Sequence, residues 1–379
     1  MKKIILLVET SREFGRQLIR GIARYSRIKG HWSFYREPSG LKSSIPGLTT
    51  WHADGIIMRN SQIKKELLDL NLPTILVLHD TNRPGYLPAV VTDSKVIAKM
   101  ASEHLISKGL KNFAFCGFDT FEWSNSRKLH FKNFIEEAGY KIHLYEQSAR
   151  KKIPNWKNEQ AQVLNWVQSL PKPIGIMTCN DDRGQHILEV CKLSGLKVPE
   201  DVAVIGVDND PMVCELGDPP LTSIALDTEP AGYETAQLLD ALMSGEKMCG
   251  QEILVTATHL VQRQSTDLLA VNDEEVAKAL RFIKENAKNK LLVSDVVKNT
   301  FLNRRSLELR FRKTIHRSIQ QQIRSVRVEW ISKLLLETDL PISEIIALFN
   351  FSDIEHISRY FKKEKGMGLK QFRKLHRHL

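Results

Sequence analysis

From Ile4 onward, short apolar runs alternate with longer stretches in which apolar residues recur at helical spacing. The runs Ile4 to Val8, Gly55 to Met58, Pro73 to Leu78, Phe113 to Cys116, Gly175 to Thr178 and Val202 to Val207 predict strands. Between them, Arg16 to Ile28, Ile63 to Leu70, Val96 to Lys108, Lys128 to Ala138, Gln160 to Leu170 and Gly184 to Leu193 predict helices. Strands separated by helices imply parallel sheet, and two such units in succession imply two lobes. Ligands of such sheets bind outside the carboxyl ends of the strands, so binding residues are expected in the loops that follow these runs.

The pattern changes at the polar stretch Thr266 to Glu275, beyond which strand-like runs nearly vanish and glycine is scarce. The expected organisation is an α/β two-lobed domain over 1–266, a linker over 267–274 and an all-α domain over 275–379. Val276 to His378 reads as about seven helices, with breaks near Asn289, Phe301, Leu340 and Asn350. Val293, Val296 and Val297 mark a short helix; Phe301-Leu302 is a tight connection; Asn303 is a good N-cap for a second helix that buries Leu307 and Phe311. Arg304, Arg305, Glu308 and Arg312 then face outward, as a helix entering a DNA major groove requires, although a solvated face has the same look. The arrangement recurs with Ile342, Ile345 and Ile346, a turn at Asn350-Phe351 and a helix from Ser352 to Lys363. An amphipathic helix from Ile323 to Leu336 joins the two helix-turn-helix units.

Charge sharpens this division. Residues 275–379 hold 23 Lys and Arg against 11 Asp and Glu, whereas the preceding residues hold 32 against 33. A basic module on a neutral one suits a phosphate-backbone binder with a separate domain for an uncharged ligand. The start, Met1 to Val8, is too short an apolar run for a signal-peptide core or a membrane span, so a cytoplasmic protein is expected and not a transport component. The five cysteines are scattered with no Cys-x-x-Cys spacing, so neither a disulfide framework nor a zinc site is expected. No phosphate-loop, dinucleotide-fingerprint, zinc-protease or nucleophile-elbow motif is present; no catalytic residue, metal or cofactor is expected.

Leu307-Glu308-Leu309-Arg310-Phe311, Arg327, Ile342-x-x-Ile345, Phe351-Ser352-Asp353 and Ser358 to Lys363 together resemble the AraC family of DNA-binding domains. Phe301 and Asn350 stand where that family usually has glycine, and Leu369 where proline is common. Phe301 would fit poorly at positive φ, which bears on the first turn. His104-Leu105-x-x-x-Gly109, Val198 to Asn209 and Arg263-x-Ser265-Thr266 resemble the periplasmic-binding-protein-like sensors of the lactose-repressor family. A sensor placed first and an AraC-type reader placed last resembles the xylose operon type of regulator over nearly the whole chain. That resemblance implies D-xylose or a related pentose as effector, double-stranded operator DNA as partner, and a homodimer.

Sugar hydroxyls need Asp, Asn and Arg partners with an aromatic face against the ring. The resemblance carries effector contacts onto Asn180, Asp181 and Asp208, which follow two predicted strands. Phe14 and Arg16 are expected in the loop after the first strand, and Trp123 and Arg127 in the loop after Phe113 to Cys116. Asp181 would equally serve as a helix cap, and Phe14 or Trp123 as core. For DNA, Arg304, Arg305 and Glu308 in the first unit and Glu355, His356 and Arg359 in the second are candidates for base contact, with Asn303 and Ser352 opening the reading helices; Arg312, Lys362 and Lys363 are candidates for phosphate. The competing functions are a cytoplasmic sugar-binding or sugar-acting α/β protein, and a C-terminal domain that binds protein instead of DNA.

Overall fold

The computed structural model describes residues 1–36, 52–59, 70–77, 87–147, 156–246, 250–268, 273–289, 291–315, 317–348 and 354–376. The side chains of 156–158, 274, 333, 337, 354–356, 375 and 376 are outside that description. The chain divides into two compact units, Met1–Leu268 and Leu269–Leu379.

In the first unit, one sheet is built from β1 (Lys3–Leu7), β2 (Ser33–Arg36), β3 (Gly55–Arg59), β4 (Thr74–Val77), β5 (Ala89–Thr92) and β11 (Glu252–Val255). The order β11-β5-β4-β3-β1-β2 is parallel throughout. The other comprises β6 (Phe113–Cys116), β7 (Ile142–Leu144), β8 (Ile174–Thr178), β9 (Val202–Val207), β10 (Thr222–Leu226) and β12 (Ala257–Val261). Its order is β12-β10-β9-β8-β6-β7, with only the β10–β12 pair antiparallel. The central strands are apolar at nearly every position because helices cover both faces, which is why they appear as continuous runs in the sequence.

Helices α1 (Glu13–Tyr25) and α7 (Thr228–Met243) belong to the first lobe. The second lobe carries α2 (Ser94–Ser107), α3 (Glu122–Glu137), α4 (Trp156–Ser169), α5 (Asp181–Leu193) and α6 (Pro211–Leu216). α1 and α7 approach closely through two glycines: a Cβ on Gly21 would lie 2.0 Å from the Glu229 carbonyl oxygen, and one on Gly232 would lie 2.2 Å from that of Leu18. The chain passes between lobes at Asp93, Asp227 and Thr256. The crossings are stitched together, Asp93 N–H to the Val255 carbonyl at 2.8 Å and Thr256 N–H to the Asp227 carboxylate at 2.6 Å.

Two helices begin earlier than their periodicity suggests. α1 starts at Glu13, whose N–H donates to the Asp210 carboxylate at 3.1 Å, a cap supplied from the other lobe and invisible to local pattern. α3 starts at Glu122, its first turns tied to the preceding loop by Ser124 accepting from Phe118 N–H and Asn125 donating to the Asp119 carbonyl. Phe14, Arg16, Trp123 and Arg127 are therefore helical and not in loops. The expected helix Ile63 to Leu70 lies almost wholly outside the described residues.

The second unit contains α8 (Glu274–Asn286), α9 (Val293–Lys298), α10 (Arg304–Ile315), α11 (Ile319–Glu337), α12 (Ile342–Ala347), α13 (Ile354–Lys365) and α14 (Leu369–His376). α9 with α10, and α12 with α13, form the two helix-turn-helix pairs. α11, 19 residues and about 28 Å long, supplies Ile319 and Ile323 to the core around Leu307 and Phe311, and Ile331 and Leu335 to the core around Ile345 and Phe361. Helix α11 thus ties two small cores into one unit.

Candidate ligand cleft and candidate nucleic-acid interface

The carboxyl ends of parallel strands from both sheets face one crevice of about 540 Å³, open solvent at its mouth included. It is lined by residues at or just beyond strand ends: Val8, Glu9, Arg12, Phe14 and Gly15 after β1, Arg59 of β3, Val77 of β4 and Thr92 of β5. From the second lobe come Trp123 and Arg127 of α3, Asn180 after β8 and Asp208 after β9.

Arg127 is 2% exposed. One guanidinium nitrogen donates to the Cys179 carbonyl, another lies 3.9 Å from the Asp208 carboxylate, and the guanidinium carbon lies over Trp123, 5.1 Å from the ring centre. Its buried Nε–H has no hydrogen-bond partner among the described residues, a costly arrangement unless the site receives an oxygen acceptor. Asp208 holds φ at +103°, a strained conformation for a residue with a side chain, and burial pushes its carboxyl up to about 6 against the pull of Arg127 and Arg12. Glu9 is raised by burial, but the Ser11 hydroxyl, Arg59 and Arg12 more than reverse this and hold it below the usual carboxylate range. Carboxylate acceptors, guanidinium donors, a threonine hydroxyl and two aromatic rings converge here, the chemistry that receives a small polyhydroxylated molecule with one apolar face.

Five of the seven expected effector residues, Phe14, Trp123, Arg127, Asn180 and Asp208, line this crevice; Arg16 and Asp181 do not. Arg16 turns to the lobe boundary, where it meets Asp210 of the second lobe at 2.6 Å and Glu13 at 2.9 Å. With Arg12 to Asp182 at 2.5 Å, it forms a polar latch across the lobes. Asp181 points inward, accepting from Ser223 Oγ at 2.5 Å and from Asp210 N–H at 2.7 Å, and burial drives its carboxyl well above the ordinary range. Asn180, not Asp181, caps α5, its side chain accepting from Arg183 N–H at 3.1 Å. Sequence reading missed Glu9, Arg12, Arg59, Val77 and Thr92; Glu9 and Arg59 directly follow predicted strands, so the strand-end rule applied residue by residue would have found them.

The motifs at the end of this unit are structural. Ser265 accepts from Thr222 N–H and donates to the Val204 carbonyl, while Thr266 pairs with Thr222 and His104.

In the second unit, Asn303 caps α10 by accepting from Ser306 N–H at 2.9 Å. Phe301 is 88% exposed and does not adopt positive φ, so the first turn accommodates it without strain; its N–H donates to Glu275 at 2.5 Å. Arg327 donates to the carbonyls of Ala287 and Asn289, closing the end of α8. Arg304, Arg305 and Arg312 are exposed on α10; Glu308 is half-buried, 3.9 Å from Arg312. Arg359, Lys362 and Lys363 are exposed on α13. Glu355 and His356 lie on α13 with side chains outside the described residues, and Ser352 and the Asn350-Phe351 turn are outside them altogether. A basic groove lined by Arg312, Arg317, Ser318, Gln321 and Arg324 at the start of α11 adds Arg317 and Arg324 to the phosphate candidates.

Residues 102–266 match the periplasmic binding protein-like domain, and residues 296–375 match a helix-turn-helix domain. The xylose operon regulatory protein of Haemophilus influenzae is 32% identical over 380 residues, covering 98% of each chain. That of Escherichia coli K12 is 29% identical over 380 residues, covering 98% of this chain and 96% of its own. Among solved structures, that of the xylose-binding transcription activator xylR superposes with a TM-score of 0.78 at 28% identity, over 98% of both chains.

Proposed function

Because the chain belongs to the family of xylose operon regulatory proteins, we propose that D-xylose or a close pentose binds between the lobes of the first unit and controls DNA binding by the second. The chain is a sugar-responsive DNA-binding transcriptional regulator, not an enzyme. The observation that carries the assignment of the site is Arg127, a buried cation whose Nε–H has no partner among the described residues, lying over Trp123 beside the strained Asp208. Glu9, Asn180 and Asp208 accept or exchange hydrogen bonds with sugar hydroxyls, Arg12, Arg59 and Arg127 donate, and Phe14 and Trp123 cover the apolar face of the ring.

Sugar bridging the two lobes favours their closed arrangement, and the coupling equals its preference for closed over open. The protein acts in the cytoplasm as a homodimer, and the two reading helices of each second unit enter adjacent major-groove segments, roughly 34 Å apart if one DNA turn separates them. No helix among the described residues is long and apolar enough to cross a membrane.

Isothermal calorimetry of the full-length protein against D-xylose and a panel of pentoses, hexoses and polyols tests this reading. Saturable binding of xylose that Asp208→Ala weakens at least about tenfold supports it, as a lost charge-assisted hydrogen bond would. Xylose binding indifferent to Asp208→Ala and Arg127→Met would place the effector elsewhere.

A further inference from the structure

We propose that Leu309 reads a thymine 5-methyl group in the major groove and so sets part of the base preference of the first helix-turn-helix unit, an inference that rests on the DNA-reading role given above. Helix α10 turns Leu307 and Phe311 into its core, both fully buried. With 3.6 residues per turn, the direction opposite the midpoint of that pair falls on position 309. Leu309 is 63% exposed there, flanked by exposed Arg305, Arg312 and Lys313.

A single exposed leucine is commonplace on protein surfaces. This one occupies the centre of the outward face of the second helix of the pair, the face that enters a groove. The surrounding cations hold that face against a polyanion, which brings the centre of the face to the base edges. Among the groups that base pairs display in the major groove, the thymine 5-methyl is the apolar one. Leucine offers neither donor nor acceptor, so opposite guanine, cytosine or adenine it would leave a polar edge dehydrated and unpaired. Opposite thymine it buries a methyl group against its own. Glu308, the neighbouring polar candidate, is turned partly inward with 25% of its side chain exposed, which leaves the centre of the face to Leu309.

The test begins with selection of duplexes from a random-sequence library by the full-length protein, with and without D-xylose. The consensus is then rebuilt with each thymine singly replaced by deoxyuridine, which removes only the methyl group. One thymine in the selected sequence is expected to lose about fourfold in affinity on replacement, the ratio sustained by burying one methyl group. Leu309→Ala is expected to bind the thymine and uracil duplexes equally, and Leu309→Met to keep the preference. Retention of the original thymine sensitivities by Leu309→Ala, or no methyl sensitivity in the unaltered protein, would overturn the proposal. Enrichment of no sequence at all would instead overturn the DNA-reading role, and this inference with it.

Discussion

Sugar affinity should fall as pH drops from 7 to 5, because Asp208 is poised to take up a proton in that interval. Burial is the main reason its carboxyl rises to about 6, and Arg127 and Arg12 only partly counter it. Sugar hydroxyls donate to the ionised carboxylate, so binding favours the ionised form and expels a proton. For a pKa near 6 the ionised fraction is about 0.9 at pH 7 and about 0.1 at pH 5, which makes binding roughly tenfold weaker at the lower pH. The same raised pKa makes the folded, sugar-free protein hold more protons than the unfolded chain between about pH 4 and 6. This carboxyl's contribution to stability therefore falls as pH rises through that window and is constant above it. Calorimetry at pH 5, 6 and 7, in buffers of different ionisation enthalpy, reads both the affinity and the proton release. Asp208→Asn should bind more weakly at pH 7 and lose the dependence. A flat profile in the unaltered protein, or an unchanged slope in Asp208→Asn, would refute the assignment.

Arg16 lies outside the crevice lining but bridges the lobes to Asp210, so Arg16→Ala should weaken xylose binding about fivefold to tenfold by favouring the open arrangement. Small-angle scattering should show a larger sugar-free particle; an unchanged affinity would remove the latch from the account. Gly21→Ala forces a methyl group into the backbone of α7, where it would lie 2.0 Å from the Glu229 carbonyl oxygen, and should cost about 2–3 kcal/mol in denaturant unfolding. Arg324→Ala should reduce the slope of log affinity for DNA against log salt by about 0.9 while leaving base preference intact, as checked by titrations over a range of salt.

How far the sequence predicts the site depends on whether a residue's role is fixed locally. Asp208 is legible because an apolar run of six residues ends immediately before it. Glu9 and Arg59 directly follow two such predicted runs, Glu9 in the loop beyond β1 and Arg59 as the last residue of β3, so the same rule applied residue by residue reaches both. Arg16 falls in the right window for the wrong reason: its neighbour Glu13 is capped by Asp210, almost two hundred positions away, which starts the helix early and turns Arg16 to the latch. Asp181 has the right residue type for a sugar contact, yet Ser223 and the Asp210 amide draw its carboxylate inward. In the second unit, Asn303 and the buried pair Leu307 and Phe311 follow from local capping and helical period and are found where the sequence places them. Leu309 was hidden by its chemistry, since an apolar residue in a basic motif reads as core until its exposure is known.

The central claim is that sugar bound in the first unit and DNA bound in the second are energetically coupled. The most direct measurement is a thermodynamic box: operator affinity of the full-length protein with and without saturating D-xylose, and D-xylose affinity with and without saturating operator. The same factor is expected in both directions, within the fivefold to 150-fold range that about 1–3 kcal/mol of coupling gives, and it should disappear in Asp208→Ala at sugar concentrations that saturate the unaltered protein. Two affinities that each ignore the other ligand would contradict it.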